Sequence, residues 1–231
     1  MKSFEVIGLD LLGTLFAIDS IRGRLEKAGL AGHDLEIWLG RVLRDGFAAE
    51  LACGYRTFHQ VAHGTLRALM KERGLRASDA AAFEVLAGFS ELLPYPDVED
   101  SLAALSRAGA RLVAMTNLTA ESAEKLLNKA GVAGCFQRIV SGDVVQHWKP
   151  AREFYEFTLK TCRVEPSKFA YVSAHAWDLQ GAAQAGLTTA WLHRKEAFPG
   201  MTPEPSLRAN SLPDLVRSLA WKGPESRSRA A

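Results

Sequence analysis

Phe4-Glu5-Val6-Ile7-Gly8-Leu9-Asp10 is a short apolar run that ends in an acid and is followed by Gly13-Thr14. Buried parallel strands read this way, and open α/β sheets place ligands at the carboxyl ends of such strands. Segments 110–116, 138–140, 168–173 and 188–193 are similar apolar runs. Between them lie helical patterns at 98–108, 120–130, 151–162 and 179–185, three of them closed by Gly109, Gly131 and Gly186. Strands alternating with helices of about ten residues predict βαβ units in a doubly wound parallel sheet, an α/β fold.

Segment 18–93 breaks this rhythm. It has no strand pattern but helical runs at 35–53, 58–73 and 77–90. A helical stretch of that length is too long for a loop and predicts an inserted all-helical cap. The expected organisation is a core of 1–17 and 94–221, a cap of 18–93 and a disordered tail of 222–231, with 16–20 and Pro94-Tyr95-Pro96 as hinges.

Composition narrows the function class. The 231 residues are 48% hydrophobic and 23% charged, as in a soluble globular protein. A net charge of +2 gives no argument for nucleic acid or a membrane surface. Cys53, Cys135 and Cys162 are widely spaced, which predicts reduced thiols and neither a disulfide framework nor a zinc site. The apolar stretch 4–18 is interrupted by Glu5 and Asp10 and lacks a small-residue cleavage pattern, so a cytoplasmic location is expected.

Candidate chemistry gathers at predicted strand ends. Asp10 closes the first strand, and Thr116-Asn117, Lys149-Pro150 and the Ser173 to Asp178 cluster follow later ones. Alone, Asp10 also reads as an acid capping the next turn, and Asp178 as the cap of the last helix. Polar residues recurring at one sheet edge read as a catalytic rim.

In that order, Asp10-Leu11-Leu12-Gly13-Thr14-Leu15, Thr116-Asn117, Lys149-Pro150 and Ser173…Trp177-Asp178 resemble the four-motif signature of the haloacid dehalogenase superfamily. Its phosphatases carry a second aspartate two positions after the nucleophile and an acidic pair in the last motif. Here those places hold Leu12 and a lone Asp178. Two carboxylates poorly provide for a hard cation wanting about six oxygens. The segment 172–178, the interval from Lys149 to Tyr155 and the segment 190–194 instead resemble the type II L-2-haloacid dehalogenases.

That resemblance implies a metal-independent, cofactor-free reaction on short L-2-haloalkanoic acids, with Asp10 attacking the α-carbon and inverting it to give a D-2-hydroxy acid. It implies that Lys149 keeps Asp10 ionised, and that Asp178, with Lys149 and Ser173, directs water onto the resulting ester. Leu11, Thr14, Thr116, Asn117, Tyr155 and Trp177 are expected around the substrate, and Arg41 on the departing halide. Leu12, Val42, Thr116 and His175 depart from the branch, which has tyrosine, glutamine, serine and asparagine there. His175 is expected to affect ester hydrolysis and its pH dependence. A phosphatase, or a member with altered or lost activity, is the alternative. A homodimer built on Trp38, Leu39 and Phe47 of the cap is also expected.

Overall fold

The computed structural model describes residues 4–219. In chain order the strands are β1 (Val6–Asp10), β2 (Phe16–Ala17), β3 (Leu93–Pro94), β4 (Arg111–Thr116), β5 (Phe136–Ser141), β6 (Phe169–Ser173), β7 (Thr188–Leu192) and β8 (Leu207–Ala209). The helices are α1 (Ile21–Lys27), α2 (Asp34–Ala52), α3 (Phe58–Glu72), α4 (Asp79–Ala87), α5 (Val98–Arg107), α6 (Ala120–Lys129), α7 (Gly142–Val145), α8 (Arg152–Cys162), α9 (Ala176–Gln184) and α10 (Leu212–Leu219). Six strands form a parallel sheet in the order β5-β4-β1-β6-β7-β8. From β1 the chain winds to one side and then the other, so the topological switch lies at β1.

The two-residue period of each strand sorts the core into two layers. Ile7, Leu9, Leu112, Ala114, Ala170 and Val172 pack with Leu102, Leu105, Leu126 and Leu127 of α5 and α6. Val6, Val113, Met115, Phe169 and Tyr171 pack with Phe154 and Tyr155 of α8 and Leu179 of α9. Asp10 shares the parity of Val6, so it emerges on the α8–α9 side.

Helices α1–α4 form the cap between β2 and β3. These two strands pair antiparallel, Phe16 opposite Pro94 and Ala17 opposite Leu93, and stitch together the chain's exit from and return to the core. Arg194 reinforces the return, with a bidentate pair to Asp97 at 2.8 and 3.0 Å and a stack over Tyr95 at 4.2 Å. In α3, Thr57 and Gln60 form a capping box.

Several expectations change. Helix α9 begins at Ala176, so Asp178 lies in its first turn rather than capping it. The pair β8 and α10 was not expected. The tail 222–231 lies outside the described residues. The proposed dimer surface turns inward: Trp38 is buried and donates Nε1 to the Ala62 carbonyl and Thr65 Oγ1, both at 3.1 Å, while Phe47 packs on Trp148 and Trp177. No helix among the described residues is long and apolar enough to cross a membrane.

Gly181 lets α9 close on the loop before α8. A Cβ there would lie 2.4 Å from the Pro150 carbonyl oxygen and 2.7 Å from the Tyr155 ring. Alanine would raise helix propensity by about 1 kcal/mol, but relieving the clash costs about 1–3 kcal/mol. Gly181→Ala is therefore expected to lower the urea midpoint of unfolding. A raised midpoint would show that α9 is not packed this closely.

Candidate active site

Asp10 leaves β1 at its carboxyl end. Gly13, at φ +75°, turns the chain so that Thr14 folds back beneath the acid. Thr14 Oγ1 donates to Asp10 Oδ2 at 2.6 Å and accepts from the Ala174 amide at 2.9 Å. The other oxygen, Oδ1, accepts from Lys149 Nζ at 2.6 Å.

Lys149 comes from the loop before α8, and its side chain is 1% exposed. Asn117 at the end of β4 clamps its backbone, with Oδ1 accepting from the Lys149 amide at 2.8 Å and Nδ2 donating to its carbonyl at 3.3 Å. Beyond Asp10, the ammonium faces the Met115 carbonyl at 3.1 Å, Tyr171 Oη at 2.9 Å and Asp178 Oδ2 at 2.9 Å. Four oxygens thus share three N–H groups. Burial alone would lower the pKa of Lys149, but the carboxylates of Asp10 and Asp178 overcome it and raise the value above that of an ordinary lysine.

Asp178 is fully buried. Its Oδ2 accepts from Lys149, from Tyr171 Oη at 2.7 Å and from Ser173 Oγ at 2.9 Å, while Oδ1 accepts from Tyr155 Oη at 2.6 Å. Burial, followed by the charge of Asp178, pushes both tyrosines well above their usual pKa, so both stay protonated donors. Asp178 therefore lies behind the Asp10–Lys149 pair, its Oδ2 saturated. This departs from the expectation of a carboxylate facing water.

A cavity of about 110 Å³ opens over Asp10. The core contributes Leu12, Thr116, Asn117, Lys149, His175, Trp177 and Glu196, and the cap segment adds Ile18, Leu39, Val42, Leu43 and Phe58. Thr14, Tyr155, Ser173 and Leu11 were expected around the reacting groups, but all are fully buried and absent from this lining. The first three fix Asp10 or Asp178 by hydrogen bonds, and Leu11 belongs to the hydrophobic core.

Arg41 is displaced as well. It pairs with Glu72 at 2.8 Å on the outside of the cap. At 100° per residue, Leu39, Val42 and Leu43 share the α2 face turned to the cavity, and Arg41 stands about 200° from Leu39. That arithmetic could have been read from the sequence, whereas Tyr171 and Glu196 carried no local signal.

His175 lines the cavity beside Asp10, with Nε2 3.8 Å from Oδ2. The same nitrogen lies 2.8 Å from the Leu12 carbonyl, Nδ1 lies 3.3 Å from Glu196 Oε1, and the ring stacks on Trp177. Burial alone would lower its pKa, but Glu196, Asp10 and the Leu12 carbonyl raise it to about 9.

The arrangement holds one carboxylate, Asp10, at the floor of a small, mostly apolar chamber, oriented by Thr14 on one oxygen and Lys149 on the other. Residues 4–186 match the haloacid dehalogenase-like hydrolase family. An (S)-2-haloacid dehalogenase of Pseudomonas sp. (strain YL) is 30% identical over 94% of each chain. Haloacetate dehalogenase H-2 of Moraxella sp. (strain B) is 26% identical over 95% of this chain and all of its own. A crystal structure of a dehalogenase with an intermediate complex superposes with a TM-score of 0.87 at 25% identity, covering 95% of this chain and 99% of that one. With that match and those four motifs converging on Asp10, the chain belongs to the haloacid dehalogenase-like hydrolases, in the branch of the L-2-haloacid dehalogenases.

Proposed function

We propose that the protein hydrolyses the carbon–halogen bond of short L-2-haloalkanoic acids, giving D-2-hydroxy acids through an ester on Asp10. One observation carries this reading: the cavity holds Leu12 two positions after Asp10, where the family's phosphatases carry the aspartate that protonates the leaving group. A phosphate ester needs a protonated leaving oxygen, whereas a halide departs unaided. The names of the relatives point to the same chemistry.

In the first step an Asp10 oxygen attacks the α-carbon opposite the halogen. The C–O bond forms as the carbon–halogen bond breaks, inverting the centre and releasing halide with its electron pair. Water then adds to the Asp10 carboxyl carbon. If Oδ2 carries the ester, charge develops on Oδ1, where the Lys149 ammonium waits at 2.6 Å. Collapse returns the Asp10 carboxylate, one water proton goes to the departing alkoxide and the other to solvent. Asp178 acts as a positioning residue by holding Lys149. The metal-independent reading rests on the donor set: among the described residues no three His, Cys, Asp or Glu side chains gather to hold an ion, and the histidine beside Asp10 has a pKa of about 9 that favours its charged form. A hard cation wants about six oxygens.

Two measurements test this. Halide release from L-2-chloropropionate without added metal is expected, and Asp10→Asn should reduce it by about 10³-fold or more. In ¹⁸O water, a single turnover should place label in Asp10 before the hydroxy acid carries it. Label entering the product directly would rule out the ester. Separately, Arg41→Ala breaks only an exposed ion pair and should leave kcat/KM within about threefold. A loss near 100-fold would bring Arg41 into the cavity during turnover.

A further inference from the structure

A halocarboxylate is an anion, and here it must approach an anionic nucleophile. Four charged side chains line the cavity among the described residues: Asp10, Lys149, His175 and Glu196. With Arg41 outside, the cations are Lys149 and His175. The N–H groups of Lys149 are already shared among Asp10, Asp178, Tyr171 and the Met115 carbonyl.

His175 is placed differently. Its two ring nitrogens face oxygens, the Leu12 carbonyl at 2.8 Å and Glu196 Oε1 at 3.3 Å, surroundings that favour the imidazolium. The second contact is not aligned as a hydrogen bond, which leaves Nδ1 buried and without a partner. The His175 side chain is 15% exposed but that of Glu196 is 59% exposed. Glu196 follows β7 and makes no other ion pair or hydrogen bond among the described residues. It also borders a neighbouring cavity of about 170 Å³, separated from the first by Ile18, Leu39, His175 and Glu196 itself.

We propose that His175 receives the substrate carboxylate on Nδ1, and that Glu196 keeps this place in the resting enzyme until the substrate displaces it. The proposal rests on the reading above that the cavity takes a small carboxylate. Exchanging one carboxylate for another leaves the charge around the imidazolium unchanged, and a half-exposed Glu196 regains water as it leaves. The neighbouring cavity supplies a route: its Arg22, Arg194 and Lys195 give a basic rim, each tied to an acid (Asp19 and Glu36, Asp97, and Asp19 respectively).

The charged groups facing His175 are Asp10 from β1 and Glu196 from beyond β7, with Lys149 on the far side of Asp10. Because its folded pKa is raised to about 9, the imidazolium and the affinity it confers persist at neutral pH and fade as pH rises through that value. Removing the Glu196 charge takes away the leading cause of the rise and moves the loss to lower pH.

Calorimetric titration with propionate, which has no leaving group, and with chloride tests this on the full-length wild type, Glu196→Gln and His175→Asn. At pH 6, well below the wild-type His175 value of about 9, Glu196→Gln should bind propionate about five- to tenfold more tightly than wild type, and the gain should shrink by pH 8. His175→Asn should bind at least about tenfold more weakly and lose the decline that wild type shows between pH 8 and 10. Unchanged or weaker propionate binding by Glu196→Gln at pH 6, or full affinity in His175→Asn, would overturn the proposal. So would the same pattern with chloride alone, which would assign Nδ1 to the halide. Binding is read without turnover, so the expected pattern in a protein that releases no halide would overturn the proposed reaction and leave the anion site standing.

Discussion

A buried ammonium between two buried carboxylates is the constraint around which this molecule is built. Lys149 Nζ lies 2.6 Å from Asp10 and 2.9 Å from Asp178, out of contact with solvent. Such an assembly persists only if every charge is matched, since losing one partner of a buried pair typically costs about 3–5 kcal/mol. Each neighbouring element therefore delivers a donor or a clamp. Thr14 follows β1, Asn117 ends β4, Tyr171 and Ser173 come from β6, Tyr155 from α8 and Asp178 from α9. The parallel sheet makes this convergence possible, because its strands finish at one edge and its switch point opens a crevice beside β1.

The cap meets this polar floor with apolar walls. Leu39, Val42 and Leu43 from α2 and Phe58 from α3 keep water scarce over Asp10, where fixed dipoles and charges act more strongly than in solution. The wall is anchored by Trp148, the residue before Lys149. Its indole donates to the Arg56 carbonyl, its amide donates to Glu50, and its ring fills the space left by Gly46, where a Cβ would sit 2.7 Å away. The loop that carries Lys149 is thus fastened to the cap, so cap placement and Lys149 placement are mechanically linked.

Charge accounting separates the roles of the two acids. Asp10 has one donor on each oxygen and a face open to the cavity. Asp178 takes four donors and stays hidden, which makes it a scaffold for the cation. His175 stands beside Asp10 at the cavity, its pKa raised to about 9 by Glu196, Asp10 and the Leu12 carbonyl.

What the sequence by itself determined was the sheet, the inserted cap and the row of motifs at strand ends. These rest on local signals: short apolar runs, the first ending in Asp10, helices stopped by glycine, and a helical stretch too long for a loop. β8 escaped because a three-residue strand carries almost no periodic signal. Only the tertiary structure decided which motif residues face the cavity. Leu39 and Arg41 are two positions apart, yet the helix turns one toward the site and ties the other to Glu72. Glu196 meets His175 only because the segment after β7 passes the end of β6. Strand pairing and helix rotation bring together residues distant in the chain, and a side chain's chemistry depends on those neighbours more than on its own motif.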